Sequence, residues 1–399
     1  MKKKAVLAFS GGLDTSYCAA SLSKEKEMDV HSVFVNTGGF SEDELSDIST
    51  RAVNLGVNVH KTLDVTEKYY KQCLRYLIFG NVLKNGSYPL SVSSERVFQA
   101  AAIAEYAKEV NADYIAHGST GAGNDQVRFD LIFSILAPDI EILTPIRDQQ
   151  LSREEEIKYL AENGVKMDWQ KSQYSINQGL WGTTIGGRET LTSNLPLPED
   201  AYPSNVSETQ PLKIELGFIK GELKKINDAE YKDPVETIRR LNNIAASFGI
   251  GRDIHVGDTV IGIKGRVGFE APAPILMIKA HQSLEKHVLS KWQIHWKEQL
   301  ASWYGMMLHE GQFYDPVMRD IEIFLENTQH TVNGTVYIEL APYRFQILGI
   351  SSPNDLMAAE FGRYGEENPA WSGQDVRGFA KILANQGRIH RAVNKGDKK

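Results

Sequence analysis

Short apolar runs alternate with helical patterns over residues 1 to about 165. The apolar runs predict buried strands at residues 5–9, 30–35, 57–65 and 113–116. The stretches between them, among them a small-residue pattern over residues 15–23, predict helices. Strands that alternate with helices in this way indicate a parallel sheet covered by helices on both faces.

Polar residues at the ends of these patterns indicate where the helices begin and end. Two capping boxes are predicted, each formed by a serine and the glutamate three residues after it: Ser41 with Glu44, and Ser152 with Glu155. Gly56 and the Asn163-Gly164 pair are expected to end the two helices that follow. An Ala-rich helix is expected to start at a cap formed by Ser93 or Ser94 and to run to about Val110.

Beyond Gly164 the sequence changes to an irregular stretch rich in Gly and Pro, and then to a mixture of hairpin and helix signals. Residues 213–227 predict two strands joined at Lys220-Gly221, and Asp233 followed by Pro234 predicts a capped helix start. Asn333-Gly334 is expected to form the tight turn of a hairpin. This second half therefore indicates an α+β domain.

These changes predict three parts: an α/β domain at residues 1–165, an α+β domain at 166–365, and a C-terminal helix with a tail at 366–399. The last part contains an apolar stripe at helical spacing, formed by Val376, Phe379, Ile382 and Leu383. Two interpretations of the stripe are open. The helix packs on its own domain, or it reaches a neighbouring subunit.

The composition excludes several classes of protein. With 399 residues, 42% of them hydrophobic and 24% charged, the chain suffices for two folded domains and is too apolar to be disordered. A net charge of −7 argues against a main role in binding nucleic acid, which favours a basic face. Cys18 and Cys73 form no CxxC pair, so neither a disulfide framework nor a zinc site is expected. No apolar run reaches membrane-spanning length, and we expect a cytoplasmic protein.

The first strand runs directly into the loop Ser10-Gly11-Gly12-Leu13-Asp14-Thr15-Ser16, and a helix follows. Backbone N–H groups and the positive end of the helix dipole then point at one place, which favours an anion. The glycines let the backbone approach phosphate oxygens closely, and the hydroxyls of Ser10, Thr15 and Ser16 can donate hydrogen bonds. We therefore predict that this loop grips the phosphates of ATP.

This loop has neither the Gly-Lys-Ser/Thr end of a Walker loop nor the third glycine of a dinucleotide fingerprint. It resembles instead the pyrophosphate loop of the ATP pyrophosphatases, which cleave ATP between the α- and β-phosphates. Asp14 requires its own explanation, because a carboxylate repels phosphates. Either it helps to hold Mg²⁺ that enters with ATP, or it maintains the shape of the loop.

A second glycine-rich loop follows the strand at residues 113–116 and runs from His117 to Asp130. It ends in a dense polar set that a protein core does not require, with Asn124, Asp125 and Arg128 close together. In a doubly wound sheet, loops at the carboxyl ends of neighbouring strands converge on one crevice. This loop is therefore expected to face the first one across a bound ligand.

On three segments the chain strongly resembles the argininosuccinate synthase family: Ser10 to Ser16, Gly118 to Phe129, and Tyr174-Ser175 to Gly187. The resemblance covers nearly the whole chain. It implies an adenine-nucleotide alpha-hydrolase-like domain with the pyrophosphate loop, an α+β synthetase domain, and a homotetramer in which the C-terminal helix can serve as an oligomerisation arm. It also implies a ligase of arginine biosynthesis that joins citrulline to aspartate.

In the implied reaction the ureido oxygen of citrulline attacks the α-phosphorus of ATP, and pyrophosphate leaves. The aspartate amine then displaces AMP from the citrullyl-adenylate. This order is chemically reasonable, because a urea carbon is a poor electrophile and adenylation of its oxygen supplies a leaving group. The loop N–H groups would stabilise the charge on the departing pyrophosphate.

The resemblance also assigns roles by motif position. ATP would be bound by Ala8, Phe9, Ser10, Gly11, Gly12, Leu13, Asp14, Thr15, Ser16, Val35, His117 and Gly118. Aspartate would be bound by Thr120, Asn124 and Asp125. Citrulline would be bound by Tyr88, Ser93, Asn124, Arg128, Ser175 and Thr184. Asp14, Ser16 and Arg128 would act in catalysis, with the fork of the Arg128 guanidinium holding a carboxylate.

Three positions depart from the family pattern. Ala122 stands where a lysine is common, which removes a positive charge near the nucleotide. Gly257 and Phe269 stand where a glutamate and a tyrosine contact citrulline. A carboxylate partner for the α-ammonium is then missing and space is added, unless Asp258 replaces it. One hypothesis is therefore a different substrate, an N-acylated citrulline that carries no ammonium charge.

Two more distant alternatives are open. One is another pyrophosphate-loop enzyme, but an amidotransferase needs a glutaminase cysteine where position 2 is Lys, and RNA sulfuration needs reactive cysteines and a basic face. The other is an adenine-nucleotide sensor without catalysis, which would not require the polar set at Asn124, Asp125 and Arg128. The His309-Glu310 pair lacks the second histidine of a zinc protease, so protein ligands for a catalytic metal are not expected.

Overall fold

The computed structural model describes residues 2–121, 123–165, 174–358 and 370–394. The chain divides into two compact units, Met1–Pro353 and Asn354–Lys399. Ala122 lies outside the described residues, as does the predicted boundary at residue 366. Within the described ranges, no helix combines the length and the apolar character that crossing a membrane requires.

The N-terminal part is a five-stranded sheet with helices between its strands. The strands are β1 Lys4–Ala8, β2 Asp29–Asn36, β3 Val59–Asp64, β4 Tyr114–Ala116 and β5 Glu141–Leu143. The helices are α1 Leu13–Lys24, α2 Glu42–Asn54, α3 Thr66–Tyr69, α4 Arg75–Phe79, α5 Ser91–Glu109, α6 Asp125–Leu136, α7 Pro145–Gln149 and α8 Arg153–Glu162, with a π-helical segment Tyr70–Leu74 between α3 and α4. All neighbouring strands pair in parallel, in the order β3-β2-β1-β4-β5.

Side chains on β1 alternate between the two faces of this sheet, as the strand period requires. Val6 and Ala8 belong to a core that includes the apolar side of α5, whereas Leu7 and Phe9 belong to a second core with α1 and α2. Helices therefore cover both faces. The predicted fold class, a parallel sheet in an α/β N-terminal domain followed by an α+β part, is confirmed.

Two antiparallel sheets form the rest of the first unit. Their strands are β6 Ser175–Asn177, β7 Thr183–Gly186, β8 Leu212–Ile219, β9 Glu222–Ile226, β10 Ala229–Glu230, β11 Arg252–Asp258, β12 Lys264–Glu270, β13 Gly334–Ala341 and β14 Arg344–Ser351. The helices are α9 Pro234–Ala246, α10 Pro272–Val288, α11 Lys291–His309 and α12 Pro316–Thr328. One sheet has the order β10-β9-β8-β13-β14, and the other has the order β11-β12-β7-β6.

Several local predictions are confirmed. Both capping boxes form, at Ser41 and at Ser152, and Asp233 caps α9 with Pro234 at its first position.

The prediction that Ser93 or Ser94 caps α5 is wrong, because α5 already begins at Ser91 with Leu90 as the capping residue. The Tyr88 hydroxyl accepts a hydrogen bond from the N–H of Val92 at 3.2 Å. A side chain from outside the helix thus satisfies a donor that a serine cap would otherwise serve.

The hairpin turn predicted at Asn333-Gly334 is also wrong. Gly334 begins β13, and the chain turns between β13 and β14 at Pro342-Tyr343, where Tyr343 has a positive φ of 61°. The Asn333 side chain instead accepts a hydrogen bond from the backbone N–H of Lys220 at 2.8 Å. A Cβ at Gly334 would lie 2.4 Å from the carbonyl oxygen of Ser351, so this glycine permits close strand pairing.

The described residues of the second unit form two α-helices, α13 Gly373–Leu383 and α14 Asn385–Val393. The predicted C-terminal helix is therefore confirmed. The side chains of its stripe, Val376, Phe379, Ile382 and Leu383, are each more than half exposed, at 51%, 66%, 70% and 69%. Both interpretations of the stripe stay open.

Candidate active site

A cleft of about 970 Å³ lies at the carboxyl ends of β1, β2 and β4. This is the place where ligands bind in open parallel sheets. All the residues predicted for the site except Ser16 line this cleft. Ser16 is fully buried, and its hydroxyl has no hydrogen-bond partner within the described part of the chain. The role in catalysis assigned to Ser16 stays a prediction, and its hydroxyl does not line the cleft.

Hydroxyl groups hold the loop that follows β1 in shape. The Ser10 hydroxyl accepts from the N–H of Gly12 at 3.3 Å, and the Thr15 hydroxyl donates to the carbonyl of Gly12 at 3.3 Å. Gly11 has φ of +76°, which favours glycine. Gly12 precedes α1 and provides no side-chain cap, so the first-turn N–H groups can serve a ligand anion.

Arg51 of α2 supports this loop from behind, and the sequence motif does not include it. Its guanidinium donates to the carbonyl of Gly11, and its side chain also lines the cleft. No local signal identifies this residue, because the contact joins positions 40 residues apart. Arg51 adds a positive charge beside the place where phosphates are expected.

Asp14, in the first turn of α1, lies close enough to Glu156 of α8 for each carboxyl group to affect the pKa of the other. Burial raises the pKa of Asp14, while Glu156 and Arg153 oppose that change. Burial and the neighbouring Asp14 raise the pKa of Glu156 to about 8. Two neighbouring carboxyl groups repel each other less when one of them carries a proton. The pair therefore favours the second explanation for Asp14, which is to maintain the shape of the loop.

The two glycine loops touch each other at Gly118. A Cβ at this position would lie 3.1 Å from the carbonyl carbon of Asp14. His117, just before it, has Nε2 2.9 Å from the Asp130 carboxylate, and its Nδ1 accepts from the N–H of Ser119 at 3.2 Å. These two bonds place the ring proton on Nε2 and fix the orientation of the second loop.

Arg128 lies at the other end of the cleft and is only 2% exposed. Its Nη1 donates to Asp125 at 2.8 Å, its Nη2 to Ser93 at 3.1 Å, and its Nε to the carbonyl of His309 at 2.8 Å. Asp125 also accepts from Arg96 at 2.9 Å. Burial alone would raise the pKa of Asp125, but the two guanidinium groups outweigh it and lower that pKa. Arg128 is thus held in a fixed position by protein partners.

His309 is a further member of this cluster that the sequence analysis missed as a site residue. Its Nδ1 lies 3.0 Å from the Ser93 hydroxyl and 3.2 Å from Nη2 of Arg128. Burial and the charge of Arg128 lower the pKa of His309 to about 3, so the ring is neutral and can accept these bonds. In the sequence, the His309-Glu310 pair indicates at most a metal ligand. Within the described ranges, no group of three or more His, Cys, Asp or Glu residues could hold a metal ion.

The second half of the chain closes one side of the cleft. Asn124 accepts from the backbone N–H of Val260 at 2.8 Å, which ties the second loop to the β11–β12 connection. Ser175 on β6 and Thr184 on β7 line the opposite wall, Ser175 exposed and Thr184 buried. The residues assigned to citrulline from both halves of the sequence therefore meet in one cleft.

The two departures in β11 and β12 have different surroundings. Phe269 is 1% exposed, packs on the ring of Tyr88 at 5.5 Å and does not line the cleft. Gly257 does line it, but a Cβ there would lie 2.6 Å from Nε2 of His255. The imidazole thus fills the space next to this glycine. Asp258 also lines the cleft, and its exposed carboxylate pairs with Lys264 at 2.6 Å. That it replaces the missing partner stays a prediction.

These contacts do not favour the hypothesis of an N-acylated substrate. That hypothesis required added room at the α-amino end, and His255 occupies the room beside Gly257. The alternative of a bulkier, uncharged substituent is therefore not favoured, because a neighbouring side chain packs into the space beside Gly257.

Comparison with known proteins agrees with this geometry. Residues 4–166 match the family model described as the arginosuccinate synthase N-terminal HUP domain, and residues 174–390 match the arginosuccinate synthase C-terminal domain. Argininosuccinate synthase of Dictyoglomus turgidum is 38% identical over 391 residues, which are 98% of this chain and 98% of that protein. The protein of the same name from Methanocaldococcus jannaschii is 37% identical over 370 residues, covering 92% and 93% of the two chains. That of Xylella fastidiosa is 36% identical, covering 98% of each chain.

Proposed function

The chain belongs to the argininosuccinate synthase family, and from this premise we propose that it joins citrulline to aspartate while ATP is cleaved to AMP and pyrophosphate. The observation that carries the proposal is the single cleft in which the pyrophosphate loop, the second glycine loop and the polar residues of the second half meet. The product would serve arginine biosynthesis, as the resemblance implies.

In the proposed reaction, the loop around Ser10 and Thr15 binds the β- and γ-phosphates of ATP. The open N–H groups at the start of α1 and the nearby guanidinium of Arg51 stabilise the charge that develops on the departing pyrophosphate. Ala8, Val35 and His117, which line the inner wall, contact the rest of the nucleotide. The α-phosphorus then faces the end of the cleft that contains Arg128.

At that end, we assign citrulline to Tyr88, Ser93, Asn124, Arg128, Ser175 and Thr184. The fixed guanidinium of Arg128 can share its charge between Asp125 and a substrate carboxylate without reorganisation. The ureido group then extends toward the α-phosphorus, where its oxygen attacks.

Aspartate is assigned to Thr120, Asn124 and Asp125. The carbonyl of the Asn124 side chain accepts from Val260, so its amide nitrogen is oriented as a donor for a substrate carboxylate. Asp125 keeps a carboxylate charge that can receive the ammonium of aspartate before the amine attacks the adenylate.

Three finer proposals come from the same family resemblance. Mg²⁺ enters with ATP and is held mainly through the phosphates, because the described residues contain no cluster of three metal-binding side chains and Asp14 is paired with Glu156. The enzyme acts as a homotetramer in the cytoplasm. Removal of Mg²⁺ by a chelator should abolish turnover, and light scattering should give the mass of four chains.

The proposal is tested by following AMP and pyrophosphate formation with ATP and Mg²⁺, adding citrulline and aspartate singly and together. Sustained formation of both products is expected only with the complete set. A non-catalytic nucleotide sensor would bind ATP and form neither product. Another pyrophosphate-loop enzyme would form both with a different acceptor and none with this pair.

A further inference from the structure

His255 of β11 is a buried side chain that lines the cleft and lies outside the motifs that indicated the site. It is 6% exposed, and its ring lies 5.1 Å from that of Tyr88 at an interplanar angle of 27°. Tyr88 is itself fixed, because its hydroxyl accepts from the N–H of Val92. The imidazole is therefore held in one orientation against a rigid neighbour.

Gly257, two residues further along the strand, makes this orientation feasible. Residues i and i+2 of a strand share a face. A Cβ at position 257 would lie 2.6 Å from Nε2 of His255 and 3.3 Å from the side-chain nitrogen of Asn85. A larger side chain at 257 and the present imidazole therefore exclude each other. The strand presents His255, and not residue 257, to the ligand.

The surroundings of the ring decide its charge and its proton position. Burial and the neighbouring Lys84 ammonium lower the pKa of His255 to about 4, against an opposing effect of Asp253. The ring is thus neutral near pH 7 and has one N–H. Nδ1 is buried, with no hydrogen-bond partner in the ranges that the structure describes. Since a buried N–H without an acceptor is costly, the proton belongs on Nε2, on the side of Gly257.

The charged groups at this end of the cleft favour an anion. Arg128 lines it, and the half-buried Lys84 donates to the carbonyl of Asp258 at 3.3 Å. The carboxylate of Asp125 is already paired with Arg96 and Arg128, and that of Asp258 with Lys264. The cations Arg128 and Lys84 therefore attract a carboxylate of the ligand to this end of the cleft.

We propose that the Nε2–H of His255 donates a hydrogen bond to the α-carboxylate of citrulline beside Arg128, and that this contact selects substrates with a carboxylate at that position. The inference rests on the proposed function. It makes His255 a specificity-determining residue. The imidazole can line the cleft because Gly257 has no side chain.

The test compares two substitutions with a control. His255→Met introduces an apolar side chain of similar length that has no hydrogen-bond donor. His255→Gln retains an N–H donor. Loss of one hydrogen bond to a charged group should raise the KM for citrulline about 10-fold to 100-fold in H255M, with the KM values for ATP and aspartate changed less than about 2-fold. H255Q should recover part of that loss. His330→Met, at an exposed histidine that does not line the cleft, should change none of the three values.

A second measurement uses citrulline amide, in which an uncharged carboxamide replaces the α-carboxylate. The wild-type preference for citrulline over its amide, expressed as a ratio of kcat/KM values, should fall about tenfold in H255M and stay unchanged in H330M. Thermal unfolding of each variant shows whether it is folded, and His255→Ala, which also lacks a donor, provides the answer if H255M is not.

Two outcomes overturn the inference while leaving the proposed function intact. One is an unchanged preference ratio in a folded H255M or, failing that, a folded H255A. The other is a rise of all three KM values together. A wild-type enzyme that does not turn over citrulline and aspartate would instead overturn the proposed function, and this inference with it.

Discussion

Gly118, where the two glycine loops touch, allows their arrangement to be tested with a single methyl group. In Gly118→Ala the new Cβ would lie 3.1 Å from the carbonyl carbon of Asp14 and 3.2 Å from its Cβ and its carbonyl oxygen. Such distances require the neighbour to move by a few tenths of an ångström. Because most of the opposing atoms belong to the backbone, the loops must separate.

The expected cost is that of overpacking, about 1–3 kcal/mol. The strain lies where phosphates would be gripped, so we expect a KM for ATP raised by about tenfold, which corresponds to roughly 1.4 kcal/mol. Pyrophosphate release at varied ATP, with citrulline and aspartate saturating, measures this change. Gly121→Ala in the same loop is the matched control, because among the described residues its Cβ would meet no atom closer than Arg147 Cγ at 4.0 Å.

The reasoning is refuted if G118A and G121A both have the same KM for ATP as the wild type. It is equally refuted if the two variants lose ATP affinity to the same extent. In either case direct contact between the loops does not shape the phosphate site.

Two further predictions concern the carboxyl groups of Glu95, which is buried, and Asp14, which is partly buried. Burial raises the pKa of Glu95 to about 8 from an ordinary 4.5, so the native state holds this proton more tightly than the unfolded chain. The associated stability is complete below about pH 4.5 and is lost at up to about 1.4 kcal/mol per pH unit as pH rises toward 8. Glu95→Gln should therefore flatten the fall of Tm between pH 5 and 8, and an unchanged slope would contradict the assignment. Asp14→Asn should reduce adenylation, measured as pyrophosphate release, far more than it lowers Tm, whereas equal losses would argue that Asp14 only supports the fold.

Features that depend on neighbouring residues could be predicted from the sequence. The capping boxes at Ser41 and Ser152 and the alternation along β1 are set by contacts within a few positions or by the strand period. The start of α5 could not be predicted in this way. The N–H of Val92 in its first turn donates to the hydroxyl of Tyr88, whose position depends on the Pro89-Leu90 bend before the helix.

The candidate site likewise has parts that the sequence predicts and parts that depend on distant contacts. Both glycine loops carry their chemistry in contiguous residues, and the cleft includes them. His309 and Arg51 reach the site through contacts 216 and 40 residues apart along the chain, which no local pattern encodes. The sequence comparison at Gly257 recorded a lost side chain, but only the fold shows that His255 takes its space.

The central claim is that the ureido oxygen of citrulline attacks the α-phosphorus of ATP bound in this cleft. Citrulline labelled with ¹⁸O in its ureido group tests it directly, with aspartate, ATP and Mg²⁺ present and the AMP analysed by mass spectrometry. The account predicts one ¹⁸O in the phosphate of each AMP formed and unlabelled pyrophosphate. Unlabelled AMP, or cleavage of ATP to ADP and phosphate, would contradict it.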